Sequence, residues 1–525
     1  MAYKYKPHNI AGVLCRTFLN NPLTMIFIIS ILLLGYVSLQ IAPREEDPQI
    51  EVSGGSVIVV LPGADPKAIT NVIVKPLERK MREIKGIEHI YGTAHDNMGM
   101  VNVQYVIGED REKSNLKLYD KVMQNMDKLP KGAMQPLIKP FDIDIDIPIV
   151  TVAFYLKDNE KPSTVEQYRL VREIQQDINA LENVSKSRLK GIHQPQFNVL
   201  IDLDKLSSYR LSLGQIVNAI KAISKNAPKI DTQSEGNSLI IFGIKNVLED
   251  VSDIENLIVA KYRNSPIYLK EIAKVDFSYD IQHFQKSELA FRENNASFDN
   301  PIQQVTLTVS KLKGTNAVTI AEEVMEYLKT RKEDLSDLGI GYIITRNYGE
   351  RANEAVNELM HHLVITIAII GLILIPFLGW REATVVSIAV PMILALTLFI
   401  AYLSGQTINR ITLFAFLLSL GLIVDDAIIV IENIHRRMHL KETAEHDYDE
   451  VIVEATDEIG PSTNIATIAI ILTMVPMAFV GGMMGQFMKP IPLNVPVALA
   501  VSLFVAYVFT PYLAKKMIKR VKGTH

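Results

Sequence analysis

Residues 421–433 read Gly-Leu-Ile-Val-Asp-Asp-Ala-Ile-Ile-Val-Ile-Glu-Asn, which places two adjacent aspartates, Asp425 and Asp426, inside an apolar segment. The whole segment, about residues 411–434, has the length of roughly 20 residues that a helix needs to cross a bilayer. An ionised Asp at the centre of such a helix costs roughly 2.5–3.5 kcal/mol, so the pair adds about 5–7 kcal/mol. Intramembrane acids mark proton or ion pathways, and the pair is therefore the candidate functional site.

Five other segments contain no charged residue and are long enough to span a membrane. They are residues 23–42, 363–380, 383–409, 461–488 and 490–514. The first lies in a predicted transmembrane helix over residues 21–43, which is too long for a signal peptide and lacks a cleavage site after it. The sequence therefore predicts a membrane α-helical protein with six transmembrane helices, the last five within residues 358–514, and excludes a soluble protein.

Lys and Arg in the short connections predict which side of the membrane each segment occupies. With the N-terminus inside, the inner segments hold twelve Lys and Arg, and the outer short loops hold only Arg410 and Lys489. We therefore expect a cytoplasmic N-terminus over residues 1–20, a basic cytoplasmic tail over residues 515–525, and a large outer block over residues 44–357.

The outer block alternates strand-like and helix-like segments, which predicts an α+β domain. Asp65 and Pro66, for example, form the N-cap and the first position of a helix that follows a strand. The alternation occurs over residues 55–129, again over residues 148–224, and partially over residues 303–344. Repeated ferredoxin-like β-α-β units explain this pattern most simply. Residues from about 230 to 295 lack a strong period, and we expect them to be an inserted docking module.

Composition and motifs exclude several other classes of function. The chain has 54 Lys and Arg against 58 Asp and Glu, and a net charge of −4 provides no basic field for nucleic acid. Its one cysteine, Cys15, cannot form an intrachain disulfide. The chain has neither a Gly-rich phosphate loop nor the lysine that accompanies one, so ATP is not the expected energy source. We expect no cofactor.

Three groups of residues could be proposed as metal sites, and each has a simpler interpretation. Asp142, Asp144 and Asp146 alternate with Ile, which is typical of one solvated face of a strand. The methionines between residues 474 and 488 could bind Cu(I), but membrane packing explains them better. The adjacent His361 and His362 have no further ligand at a suitable spacing. The sequence therefore predicts no metal site.

The aspartate pair has chemistry suited to carrying a proton. Adjacent helical positions point about 100° apart, so the two carboxylates flank one wedge of the helix. Two close carboxylates resist ionising together, which allows a proton to be held and released. A purely structural ion pair would need a cation, and no Lys or Arg lies deep in the other five spans. Glu432 lies about two turns further on, where a solvated carboxylate at the interface is the simpler interpretation.

The stretch from Gly421 to Asn433 closely resembles the fourth transmembrane helix of resistance-nodulation-division efflux transporters, in the subgroup that exports hydrophobic and amphiphilic compounds. Other segments resemble the same family. Residues 62–65 and 74–78 are similar to the start of the first porter subdomain, residues 197–212 to the approach to the docking insertion, and residues 475–479 and 510–511 to the fifth and sixth helices.

This resemblance implies a function and a set of partners. Asp425 and Asp426 match the proton-relay aspartates, and residues 44–357 match two periplasmic porter subdomains with part of a docking domain. The chain corresponds to the N-terminal half of an inner-membrane permease. The resemblance implies a proton antiporter for small hydrophobic substrates, in a trimeric assembly with a periplasmic adaptor protein and an outer-membrane channel. A second six-helix half, with a lysine that pairs with the aspartates, would come from a separate chain or another copy.

Two alternatives stay open at this point. Protein-export accessory membrane proteins related to the family also have six helices and a periplasmic domain, although that domain is smaller. A truncated scaffold or sensor, in which the aspartates are vestigial, is the second alternative.

Overall fold

The computed structural model describes most of the chain, and every structural statement concerns the described residues. They are 5–50, 52–142, 146–157, 164–191, 195–223, 230–233, 239–242, 250–262, 265–279, 286–292, 297–440 and 446–518. Asp144 and the end of the predicted basic tail, residues 519–525, lie outside them.

Two helices precede the α+β region. The first, α1 (Ile10–Leu19), is short and buries Cys15, while the second, α2 (Leu23–Ile41), is apolar around its whole circumference. Because α2 is long and apolar enough to cross a membrane, it is the first of the spanning helices.

The first unit of the α+β region is a four-stranded antiparallel sheet with helices packed on it. Its elements are β1 (Ser53–Val60), α3 (Pro66–Ile69), a π-helical turn (Thr70–Val74), α4 (Lys75–Met81), β2 (Ile87–His95), β3 (Met98–Tyr105), α5 (Arg111–Met123) and β4 (Leu137–Asp142). The strands lie in the order β2–β3–β1–β4, which is the ferredoxin-like arrangement. The Asp65 side chain caps α3 by accepting from the Ala68 amide at 2.6 Å, as predicted.

The second unit repeats this arrangement, but a long insertion divides it in the sequence. Its elements, with the insertion from β7 to β13, are β5 (Val150–Leu156), α6 (Thr164–Asn179), β6 (Val184–Lys190), β7 (Pro195–Ile201), α7 (Leu203–Ser208), α8 (Leu213–Ile223), β8 (Ile230–Gln233), β9 (Leu239–Phe242), α9 (Val251–Glu255), β10 (Ile258–Tyr262), β11 (Ser265–Tyr268), α10 (Leu269–Ile272), β12 (Ala273–Tyr279), β13 (Glu288–Leu289), β14 (Ile302–Lys311), α11 (Ala317–Thr330), α12 (Lys332–Asp337) and β15 (Ile340–Asn347).

The pairing of β14 corrects the expected third, partial copy over residues 303–344. Thr306 in β14 lies opposite Ala153 in β5 on one side and Lys190 in β6 on the other, and β15 pairs with β5. These strands therefore complete the second sheet. The prediction was wrong because local periodicity identifies a strand without identifying its neighbours.

The insertion has a small core of its own. Strand β7 pairs with β12 along its whole length, and Leu206, Ile216, Leu269 and Ile272 are buried together between the elements. This compact unit therefore includes residues on both sides of residue 230, where the sequence placed the start of the docking module.

The remaining helices form a bundle with α2. They are α13 (Tyr348–Leu378), α14 (Trp380–Leu403), α15 (Arg410–Met438), α16 (Tyr448–Ala478), α17 (Gly482–Met488) and α18 (Pro490–Met517). Within the described chain, six helical segments are long and apolar enough to cross a membrane, with α17 and α18 counted as one. Helix α16 differs from the charge-free run at 461–488, because its charged first turns are also helical and the positive φ of Gly482 (74°) separates it from α17.

Candidate functional site

Asp426 lies at the centre of the helix bundle and is bonded by two other helices. Its side chain is 5% exposed. Ser502 Oγ of α18 donates to Asp426 Oδ2, and Thr467 Oγ1 of α16 donates to Asp426 Oδ1 at 3.4 Å. Each carboxylate oxygen thus has a hydroxyl partner, which offsets part of the cost of burying the charge.

Asp425 points in a different direction, as expected for the adjacent position of a helix. It lies on an exposed face of α15, together with Phe414, Leu418, Gly421 and Ile429. Among the described residues, Asp425 has no hydrogen-bond or ion-pair partner. The structure therefore separates the two acids into a buried, bonded carboxylate and one on the surface of the bundle.

A second polar contact joins α16 and α18, the two helices whose hydroxyls donate to Asp426. The Tyr507 hydroxyl of α18 donates to Asn464 Oδ1 of α16 at 2.9 Å. Ser502, Thr467 and Tyr507 were not predicted from the sequence, because hydroxyl side chains are frequent in membrane helices and usually bond to their own backbone. Asn464 is an amide within an apolar run, and this was the one local signal that could have indicated the contact.

The two aspartates lack the basic partner that an acid within a helix bundle commonly has, as far as the described residues show. In the part of the chain that the structure describes, no Lys or Arg pairs with either acid. Arg436 and Arg437, near the end of α15, pair with Glu458 of α16 instead. Glu432 is exposed between the aspartates and this arginine pair. Within the described residues, no group of three or more His, Cys, Asp or Glu could hold a metal ion.

Comparison with known families agrees with this architecture. A sequence model of the AcrB/AcrD/AcrF family matches residues 14–525. The chain belongs to this family. As a member of the AcrB/AcrD/AcrF family it is a multi-pass membrane protein of the resistance-nodulation-division transporters. Its six apolar helices and intervening α+β region resemble the N-terminal half of such a transporter, and the predicted family and fold class are confirmed.

Proposed function

We propose that this chain acts in proton-driven export of hydrophobic and amphiphilic compounds across the bacterial inner membrane, with Asp425 and Asp426 as the proton relay. The observation that carries the proposal is the burial of Asp426 in the middle of the bundle, with hydroxyl donors from two other helices. A carboxylate that costs this much to bury and has no cation beside it among the described residues is suited to proton exchange.

Proton binding at Asp426 has a direct mechanical consequence. An ionised carboxylate only accepts hydrogen bonds, whereas a protonated one carries an O–H that must donate. With Ser502 and Thr467 both donating to it, a hydroxyl that accepts the new O–H must turn its own proton to another acceptor, and Ser502 has the Leu499 carbonyl at 2.8 Å for this. Proton binding at Asp426 therefore changes the hydrogen bonds of α15 with α16 and α18, and we propose that this change is coupled to helix position.

The available energy is sufficient for export. Moving one charge through about 150 mV yields about 3.5 kcal/mol. This free energy supports a concentration ratio of a few hundred for each proton, at unit stoichiometry.

Membership of the family supports the remaining features of the proposal, which the structure does not test. Residues 44–357 would lie in the periplasm and capture substrate there, with both termini in the cytoplasm. A trimeric assembly, a periplasmic adaptor protein and an outer-membrane channel would complete the export path. A second six-helix half would cover the face of α15 that carries Asp425.

Proton flux into proteoliposomes tests the proposed activity against the two alternatives. If the chain acts in proton antiport, protons should cross the proteoliposome membrane only when two conditions are met. A hydrophobic amine or dye must be present, and the second six-helix half must be reconstituted with the chain. Flux that depends on an exported polypeptide would indicate the protein-export relative. No flux under any of these conditions would indicate a scaffold or sensor.

Loss of the Ser502 hydroxyl tests the mechanical link. A hydrogen bond to a charged group contributes about 1.5–3 kcal/mol, so Ser502→Ala should shift the balance between the two states of Asp426 about tenfold or more. We expect a fall in dye export of about the same size. Ser462→Ala is the matched control, because this exposed α16 hydroxyl bonds only to the Ile459 carbonyl at 2.9 Å. Equal export by both variants would contradict the role of Ser502.

The position of the α+β region is tested by chemical labelling. Lys157, at the end of the second unit's strand β5, is exposed. Lys157→Cys, made in a Cys15→Ser background, should react with a membrane-impermeant thiol reagent in intact spheroplasts. Cys15 in the unmodified chain is buried and serves as the negative control. Labelling of Lys157→Cys only after lysis would reverse the proposed topology.

A further inference from the structure

A charged segment follows the first spanning helix at the edge of the bundle that faces the α+β region. It consists of Arg44, Glu45, Glu46 and Asp47, and we name it the junction segment. The segment contacts both the start of α15, the helix with the two aspartates, and the second sheet unit. It is therefore placed between the candidate proton site and the α+β region.

On the membrane side, the junction segment is bonded to the turn that precedes α15. The Glu45 amide donates to the Ile408 carbonyl at 2.9 Å, and the Ile408 amide donates at 2.8 Å to the carbonyl of Pro43, which directly precedes the segment. Arg410, the first residue of α15, donates from Nε to Asp47 Oδ1 at 3.1 Å. Asp426 lies on the same helix, about 24 Å further along its axis. A displacement of α15 along its axis would therefore move the junction segment.

On the other side, the junction segment is bonded to the end of β14 and the start of α11. Lys311 Nζ, at the end of β14, lies 2.5 Å from Glu45 Oε1. The Ala317 amide donates to the Arg44 carbonyl at 3.0 Å, and the Gly314 amide donates to Gln49 Oε1 at 3.2 Å. These contacts fix residues 311–317 of the second unit to the segment.

Glu45 is the residue that joins the two sides. Its Oε1 accepts from Lys311 and its Oε2 accepts from Thr407 Oγ1 at 3.3 Å, in the turn before α15. The Glu45 and Lys311 side chains are only 4% and 7% exposed. Burial raises the pKa of Glu45 above its ordinary value, and Lys311 opposes this effect. Well-packed apolar side chains of similar volume are often at least as stabilising as a buried ion pair. The Glu45–Lys311 pair is therefore better explained by a role in fixing the geometry of this contact than by a role in stability.

The charges around the junction argue against an ion-binding site. Glu46 lies 3.4 Å from Arg351 of α13, Asp47 pairs with Arg410, and Glu45 pairs with Lys311. Each acid thus has a basic partner. The small cavity of about 170 Å³ beside them is lined by these three acids and Lys311, so each acid that faces the cavity is already in an ion pair.

We propose that the Glu45–Lys311 ion pair is the coupling contact that passes a displacement of α15, produced at Asp426, to residues 311–317 of the second sheet unit. This inference rests on the proposed proton relay. In it Glu45 and Lys311 are positioning residues, because neither touches substrate or proton. The amides of Gly314 and Ala317 report the contact directly, since their acceptors belong to the junction segment or to Gln49 beside it.

Hydrogen exchange of residues 311–317, measured on the full chain in membranes with its co-purifying partners, tests the inference. Asp426→Asn imposes a neutral side chain at the relay, and it should change the exchange rate of this peptide by about fivefold or more, the lower range of allosteric coupling. In a Glu45→Gln/Lys311→Met background, the same Asp426→Asn change should produce a clearly smaller response of the peptide, because only the backbone bonds of the junction segment remain. Export should fall about tenfold in this double variant while it stays in the membrane.

The matched control is an ion pair in the first unit, away from the junction. Lys121 Nζ lies 2.6 Å from Glu83 Oε2. Glu83→Gln/Lys121→Met should keep both the exchange response and export. If the Glu45/Lys311 double variant does not fold, Thr407→Val removes the hydroxyl that donates to Glu45 Oε2 and that also accepts from Asn409 Nδ2 at 3.2 Å. This variant should by itself reduce the exchange response. A merely structural pair would not affect this response.

The outcomes separate the two proposals. If Asp426→Asn abolishes export but the peptide 311–317 responds equally in the wild-type, Glu45/Lys311 and Thr407→Val backgrounds, the coupling role is wrong and the relay stands. The same holds if the peptide does not respond in any of them. If Asp426→Asn alters neither export nor exchange, the relay itself is wrong.

Discussion

Replacement of Asp426 by Asn is expected to reduce export of amphiphilic dyes to the level of cells that lack the chain, while the protein still inserts into the membrane. The Asn side chain cannot exchange a proton, so the contacts of α15 with Ser502 and Thr467 no longer alternate between two states. Insertion should not suffer, because removal of the charge relieves about 2.5–3.5 kcal/mol of its cost. Dye accumulation and the amount of protein in the membrane fraction measure the two effects.

The same loss is expected for Asp425→Asn, since both acids are proposed to act as one relay. Glu432→Gln is the matched control, because Glu432 is an exposed acid on the same helix and, within the described residues, has no hydrogen bond to either aspartate. It should retain export. Near-normal efflux from both aspartate variants would show that the relay assignment is wrong.

The sequence predicted those features of the fold that depend on local properties. A span is recognised from its length and apolarity, and Asp425 and Asp426 are conspicuous because charge is costly there. The cap at Asp65 is equally local, since the side chain bonds to an amide three residues away. Each of these signals lies within one segment of the chain, so no knowledge of the tertiary structure was needed.

The features that sequence analysis missed depend on contacts between distant segments. Ser502 and Thr467 approach Asp426 from two other helices, and neither differs locally from any other hydroxyl residue in a span. Strand β14 was assigned to a separate copy because the insertion separates it from β5 and β6. The charged residues of the junction segment were read only as the start of the outer block, although Glu45 joins two parts of the protein.

The exposed face of α15 is expected to pack against a second six-helix half, supplied by a separate chain or another copy. Asp425 lies in the middle of this face, and contact with lipid would cost about 2.5–3.5 kcal/mol while it is ionised. Ile429→Cys, one turn from Asp425, should therefore form a cross-link to that half when it is labelled with a thiol-reactive photo-cross-linker in a Cys15→Ser background. Co-purification in mild detergent should recover the cross-linked partner.

Helix α13 provides the comparison, because its exposed face is suited to lipid. Ile373 is 56% exposed, and residues 363–378 contain no charged side chain, so Ile373→Cys should not form this cross-link. Ile429 and Ile373 are both exposed isoleucines, but only Ile429 lies near a charged residue, Asp425. A cross-link at Ile429 and none at Ile373 would therefore indicate that the partner covers the face that carries this charge. An ionised Asp425 without a partner would stay on a lipid-facing surface, and a permanently protonated one could not cycle. Vigorous proton-driven efflux by this chain as a purified monomer would therefore contradict both the partner and the relay that needs it.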